Sequence, residues 1–179
     1  MTMQIRADAQ TIIDREDTVP AGMPGAVDAV STRPAPRGGI ARGTMILTAR
    51  GETPVEDLRP GDRIITRERG MSILQSVTHV EGPAVSVRTD SLGLARPARD
   101  TTVAADQHVT LRDWRARAMF DADAALVPAA RLADGRQIAA FGTVGYVRLD
   151  LGAPLTVYAN GLEMPTGRTE DGVVEIAAE

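Results

Sequence analysis

From Gly39 onward, turn-forming residues cut the chain into short apolar runs spaced roughly 8–12 residues apart. That spacing predicts an all-β domain, compact and rich in turns. Met45–Thr48 reads as a strand ended by Ala49-Arg50-Gly51. Val55–Leu58 reads as one helical turn with Pro54 at its start, where a missing N–H costs nothing. Pro60-Gly61-Asp62 is a turn into a strand at Arg63–Thr66, and Arg69-Gly70 is the next turn. Ser72–Val80 and Val85–Arg88 read as strands broken by Glu81-Gly82-Pro83. Thr101–Ala104 and His108–Leu111 follow as strands. Leu126–Ala129 enters a short helix or extended turn that stops near Asp134-Gly135. Tyr146–Leu149 and Thr156–Ala159 are expected to pair as the last strands. Asn160-Gly161 is a strong turn signal, because a type I′ turn needs positive φ at both central residues. No internal repeat is visible.

The first 38 residues differ from the rest. Pro20, Pro24, Pro34 and Pro36 alternate with Gly22, Gly25 and Gly38. Proline removes backbone donors and glycine raises the entropy of ordering, so residues 1–38 read as a flexible leader. Thr11–Asp14 is its one candidate strand. Residues 166–179 read as a polar tail, with Val173–Ile176 as an edge strand.

Composition narrows the chemistry. Hydrophobic residues make up 43% but aromatics only 3%, so aliphatic side chains and alanine must fill the core. Every basic residue is Arg, which removes Schiff-base and P-loop lysine chemistry. Cysteine is absent, so disulfides, thiolate metal sites and cysteine nucleophiles are excluded. Two histidines, His79 and His108, are too few for a His-rich zinc site, and no cofactor is expected. A net charge of -4 argues against nucleic acid as a partner. No apolar run reaches the roughly 18 residues of a membrane span. The N-terminus has no Sec-type apolar core, which favours the cytoplasm over export. A protein partner is compatible with all of this, and the sequence sets no oligomeric state.

One stretch carries a resemblance. Gly43–Gly51 runs into Pro54–Ile64 as strand, turn, helical turn with Val-x-Asp-Leu, then a Gly-Asp turn into a second strand. This resembles the opening of a Hint domain, the self-processing module of Hedgehog proteins and inteins, in its bacterial form. Arg96–Asp100 before Ala105-Asp106-Gln107-His108 resembles the approach to the family's Ser/Thr-x-x-His motif. Trp114-Arg115-Ala116, Leu126–Ala129, Tyr146-Val147 and Ala159-Asn160-Gly161 extend the resemblance over residues 39–165. It implies an all-β horseshoe with a pseudo-twofold arrangement of short strands.

The resemblance also implies an activity. Hint domains shift an acyl group from nitrogen to sulfur. Their first residue attacks the preceding carbonyl, and the motif's histidine protonates the departing amine. Here the nucleophile position falls on Gly39, which has no side chain. The nearest hydroxyl is Thr44. The Ser/Thr position falls on Ala105, and only His108 keeps its identity, as a residual catalytic candidate. Where the family carries polar or ionisable residues near its end, this chain has Arg148, Gly152, Ala153, Pro154 and Leu155. The expected function is therefore a degenerate Hint domain that serves as a binding or structural module. The alternatives are residual self-cleavage, in which His108 still acts, and an unrelated small β-barrel interaction domain.

Other residues invite blander readings. His79 lies at a strand end. Asp57 and Asp62 are expected to cap and bond within turns. Asp121 and Asp123 lack the ligand run of a calcium loop. Trp114, with Arg112, Arg115 and Arg117 around it, is expected to pack over the core with the arginines solvated.

Overall fold

The computed structural model describes residues 37–170 and 172–176. The expected leader, with its candidate strand at Thr11–Asp14, lies outside the described residues apart from Arg37 and Gly38. The strands are β1 Ile40–Ala41, β2 Met45–Thr48, β3 Gly51–Pro54, β4 Arg63–Thr66, β5 Gly70–Ile73, β6 Ser76–Val87, β7 Thr101–Ala104 and β8 His108–Leu111. A seven-residue helix, α1 Trp114–Phe120, precedes β9 Ala124–Pro128, β10 Ile138–Asp150, β11 Thr156–Ala159, β12 Leu162–Pro165 and β13 Val174–Ile176. The fold is all-β, as the turn spacing predicts.

Three sheets share one core. β1, β10, β6 and β7 close a barrel in that order. A second sheet runs β12-β11-β2-β4-β5, with β3 on β2, and a third runs β13-β9-β8. The core is aliphatic: Ile40, Ile46, Ile64, Leu74, Leu111 and Leu162 are all but fully buried. Tyr146 is the one buried aromatic side chain among the described residues. No described helix is long and apolar enough to cross a membrane.

Several expectations need correction. The break at Glu81-Gly82-Pro83 does not occur, because β6 runs through it against β10. Pro83 is tolerated because its carbonyl, and so its ring nitrogen, faces away from β10; that carbonyl accepts from Ala105 N at 2.9 Å. Tyr146–Leu149 does not pair with Thr156–Ala159. It belongs to β10 and pairs with β6 and β1, while β11 forms a hairpin with β12 across Asn160-Gly161. Leu126–Pro128 is strand, paired with β8, and helical geometry begins only at Ala129. α1 was not expected. It starts because the Asp113 side chain accepts from Arg115 N, and it stops at Asp121, whose φ is +52°. Trp114 opens this helix and is 72% exposed, so it does not pack over the core. The Arg115 guanidinium lies 5.6 Å from its ring centroid instead.

The fold also shows an internal repeat. Pro54, Leu58, Gly61 and Ile64 recur at the same spacing as Pro128, Leu132, Gly135 and Ile138. Each set ends a strand at its proline, makes a 3-10 turn (Val55–Asp57 and Ala129–Leu132), and turns at a positive-φ glycine. Each then enters a strand, β4 or β10. Four identities in a stretch of eleven are faint as text. They are plain once both prolines show nearly the same ψ, 138° and 132°, the angle that the ring leaves free.

Candidate functional site

The site lies where the chain enters the barrel. β1 is only two residues long, yet it closes the barrel, because Ile40 pairs with Val103 of β7 and with Val147 of β10. Gly38 and Gly39, just before it, are buried. A buried peptide group must find partners, and here two side chains and the neighbouring backbone supply them. The Gly38 carbonyl accepts from Arg148 Nε at 2.7 Å. The Gly39 N–H donates to Gln107 Oε1 at 2.9 Å. The Gly39 carbonyl accepts from Ala104 N at 3.1 Å, and Arg37 N donates to the Arg168 carbonyl at 2.7 Å.

Each side chain reaches this place for a local reason. Gln107 ends the turn after β7, where its own N–H donates to the Ala104 carbonyl. Its Nε2 donates to the carbonyls of His108, at 2.7 Å, and Pro165, at 3.0 Å. Two carbonyls on one side fix which way the amide points, and its oxygen must then face Gly39. Arg148 projects from β10 beside the seam that β1 fills. Tyr146, two residues earlier and thus on the same face of β10, lies over Gly39 and Gly82. A Cβ on Gly39 would stand 2.9 Å from the ring's Cγ, and one on Gly82 would stand 3.3 Å from its Cζ.

His108 is buried at the start of β8. Its Nε2 lies 2.7 Å from the Gly172 carbonyl. A carbonyl only accepts, so Nε2 carries the proton and spends it on that bond. The segment after β12 therefore lies across His108, and β13 anchors it by pairing with β9.

Two electrostatic shifts belong to this neighbourhood. Burial pushes the Tyr146 phenol above its ordinary value of 10.0, with repulsion from Asp106 adding to it and Arg148 opposing it. Glu170 sits below the ordinary carboxylate value, held first by its own backbone N–H and then by the Arg168 charge. The Arg168 Nε is buried with no hydrogen-bond partner among the described residues.

The remaining sequence candidates do not gather here. Ala105 N bonds to the Pro83 carbonyl, and its own carbonyl accepts from Ala130 N. Thr44 is buried just before β2. His79 is exposed in the middle of β6, not at a strand end. Asp62 accepts from Arg59 N and pairs with Arg50. Asp123 pairs with Arg117, and Asp121 caps α1. Among the described residues no group of three His, Cys, Asp or Glu side chains could hold a metal ion. Sequence reasoning missed Gln107 and Tyr146. Gln107 stands beside the motif histidine, but spacing alone does not say that it faces Gly39.

The Hint domain family matches residues 39–169, beginning at the clasped glycine. The chain belongs to the Hint domain family. The match removes the unrelated β-barrel alternative. Solved inteins share the fold. The DnaB intein from Synechocystis sp. PCC 6803 aligns over 74% of this chain and 100% of its own, with 14% identity and a TM-score of 0.51. The M86 variant of the Ssp DnaB mini-intein aligns over 75% and 96%, with 16% identity and a TM-score of 0.51. No curated protein matches the chain in sequence.

In chemical terms, this Hint site polarises a carbonyl and immobilises a peptide nitrogen. An arginine on a carbonyl oxygen could steady an oxyanion. Attack requires a nucleophile, and position 39 carries none. The nitrogen's partner is an amide oxygen, which has no proton to give a leaving amine.

Proposed function

We propose that this Hint module has lost autoprocessing and serves as a binding module that keeps its own first strand clasped. The Gly38–Gly39 peptide group carries this reading. Both of its polar atoms are bonded to side chains, Arg148 and Gln107, and neither side chain can attack it or protonate it. The ring of Tyr146 also fills the space that a nucleophilic side chain at position 39 would need. Intact mass tests the reading. Freshly purified protein is held for a day with and without dithiothreitol or hydroxylamine. An unchanged 19.0 kDa species is expected. A new species beginning at Gly39 would overturn the reading.

A second reading, residual cleavage, draws on the Arg148 contact, which polarises the Gly38 carbonyl. It requires water or hydroxylamine to attack that carbon and His108 to leave Gly172 for the departing nitrogen. His108→Ala would then abolish cleavage. Cleavage that persists in His108→Ala, or none in the parent chain, removes this reading.

A further inference from the structure

The barrel seam between β7 and β10 is closed by β1, a strand of only two residues, and by the two glycines before it. We propose that this seam is a diglycine-selective peptide-binding site. Its ligand is a segment with two consecutive glycines, the first at positive φ, followed by an aliphatic and a small residue, and its occupant here is the chain's own Arg37–Ala41. The inference rests on the reading of a module that does not cut this segment.

Recognition of the backbone comes first. Arg37 N, Gly38 O, Gly39 N and Gly39 O are each bonded to a group outside the segment. Ile40 then adds antiparallel pairing on both sides, to Val103 and to Val147. Main-chain bonds of this kind bind an extended peptide whatever its sequence. Gln107 Oε1 and Arg148 Nε make no other hydrogen bond among the described residues, so holding the segment is their one visible task.

Selectivity comes from what the seam leaves no room for. A Cβ on Gly38 would stand 3.0 Å from Gln107 Cδ and 3.2 Å from Gln107 Cα, and Gly38 has φ +78°. Both the contact and the dihedral favour glycine. A Cβ on Gly39 would run into the Tyr146 ring at Cγ, near the root of that side chain. The ring has little freedom to retreat, because its far end already lies against Gly82. Two adjacent positions are therefore restricted to glycine by different residues. Beyond them, Ile40 is 2% exposed and Ala41 6%, which asks for an aliphatic and then a small side chain.

The test uses full-length protein and a fluorescent synthetic peptide of residues 34–43. In the parent chain the seam is filled, so the peptide is expected not to bind. Gly39→Ala expels the chain's own segment, and the peptide should then bind saturably. The same peptide with alanine in place of its second glycine should bind at least about tenfold more weakly, the usual cost of forcing a methyl group into a filled site. Equal binding of the two peptides, or a Gly39→Ala chain that binds neither, overturns the proposal. A second variant covers failure of the first to fold. Arg148→Met keeps both glycines and removes one clasp, so the Gly39 amide should exchange with deuterium at least about tenfold faster while amides of β4 stay unchanged. Unchanged exchange at Gly39 would also overturn it. Self-cleavage shows as lost mass and loose binding shows as fast exchange at full mass, so the two readings fail separately.

Discussion

The ring of Tyr146 occupies the space that a side chain at Gly39 would need. Ala41 is the register partner of Tyr146, and Gly39 lies two residues before Ala41, so the ring reaches it diagonally across the β1–β10 pairing. The barrel therefore closes around a glycine and not merely beside one. Restoring a nucleophile is then a problem of packing as much as of chemistry. Gly39→Cys is expected to destabilise the module by about 1–3 kcal/mol, the usual cost of overpacking a filled core. It should also yield no thiol-induced cleavage. Urea denaturation and intact mass read the two outcomes separately. A variant as stable as the parent that splits with dithiothreitol would show that the ring moves aside and that His108 still serves.

Gln107 links the first strand to two other parts of the fold through one amide. Gln107→Leu keeps the volume but leaves the Gly39 N–H and the carbonyls of His108 and Pro165 without that partner. Leaving buried groups unsatisfied costs more than one ordinary bond, so a loss of about 3 kcal/mol is expected. Gln107→Glu keeps an acceptor for Gly39 and loses both donors, and it should be no better than Leu. The urea midpoints of the two variants check this. A midpoint within error of the parent's for Gln107→Leu would mean that water replaces the amide.

What the sequence made legible was local. Met45–Thr48, the Val55 helical turn and the Asn160-Gly161 turn each depend on a few adjacent residues, and each appears where expected. Pairing was harder, because the partner of Tyr146–Leu149 lies across the barrel in β6. Nothing in a four-residue run distinguishes a neighbour in sequence from one far away. β10 was hidden for another reason: a bulge between Ala140 and Gly142 leaves Phe141 outside the ladder and breaks the apolar alternation. Gly39, Ala105 and His108 were found by resemblance. Gln107 and Tyr146 were not, because their roles depend on which way a side chain points.

Asn160 is a turn residue that also ties sheets together. Its φ is +47°. Its Oδ1 accepts from Met45 N at 3.0 Å, and its Nδ2 donates to Thr101 Oγ1 at 2.9 Å. Asn160→Gly should keep the backbone conformation and lose both side-chain bonds, at a cost of about 2 kcal/mol. Asn160→Ala adds the strain of a positive φ and should cost about 1 kcal/mol more. Thermal or urea unfolding orders the two variants. Alanine as stable as glycine would mean that the turn relaxes out of its left-handed form.

The phenol of Tyr146 gives the clasp an alkaline limit. Burial, and then Asp106, raise its value above 10.0 in the folded chain, whereas the unfolded chain ionises near the ordinary value. Between those two values the folded state binds more protons than the unfolded state. Stability therefore falls as pH rises past the unfolded value, and below that value the group contributes no slope. Absorbance at 295 nm, read in a Tyr158→Phe background, should show one tyrosine titrating above its ordinary range. Urea midpoints taken at about pH 9 and about pH 11 should drop in the parent chain and drop less in Tyr146→Phe, which has no proton to lose. Equal drops in both would place the alkaline transition on another group and leave Tyr146 as a purely steric wall against position 39.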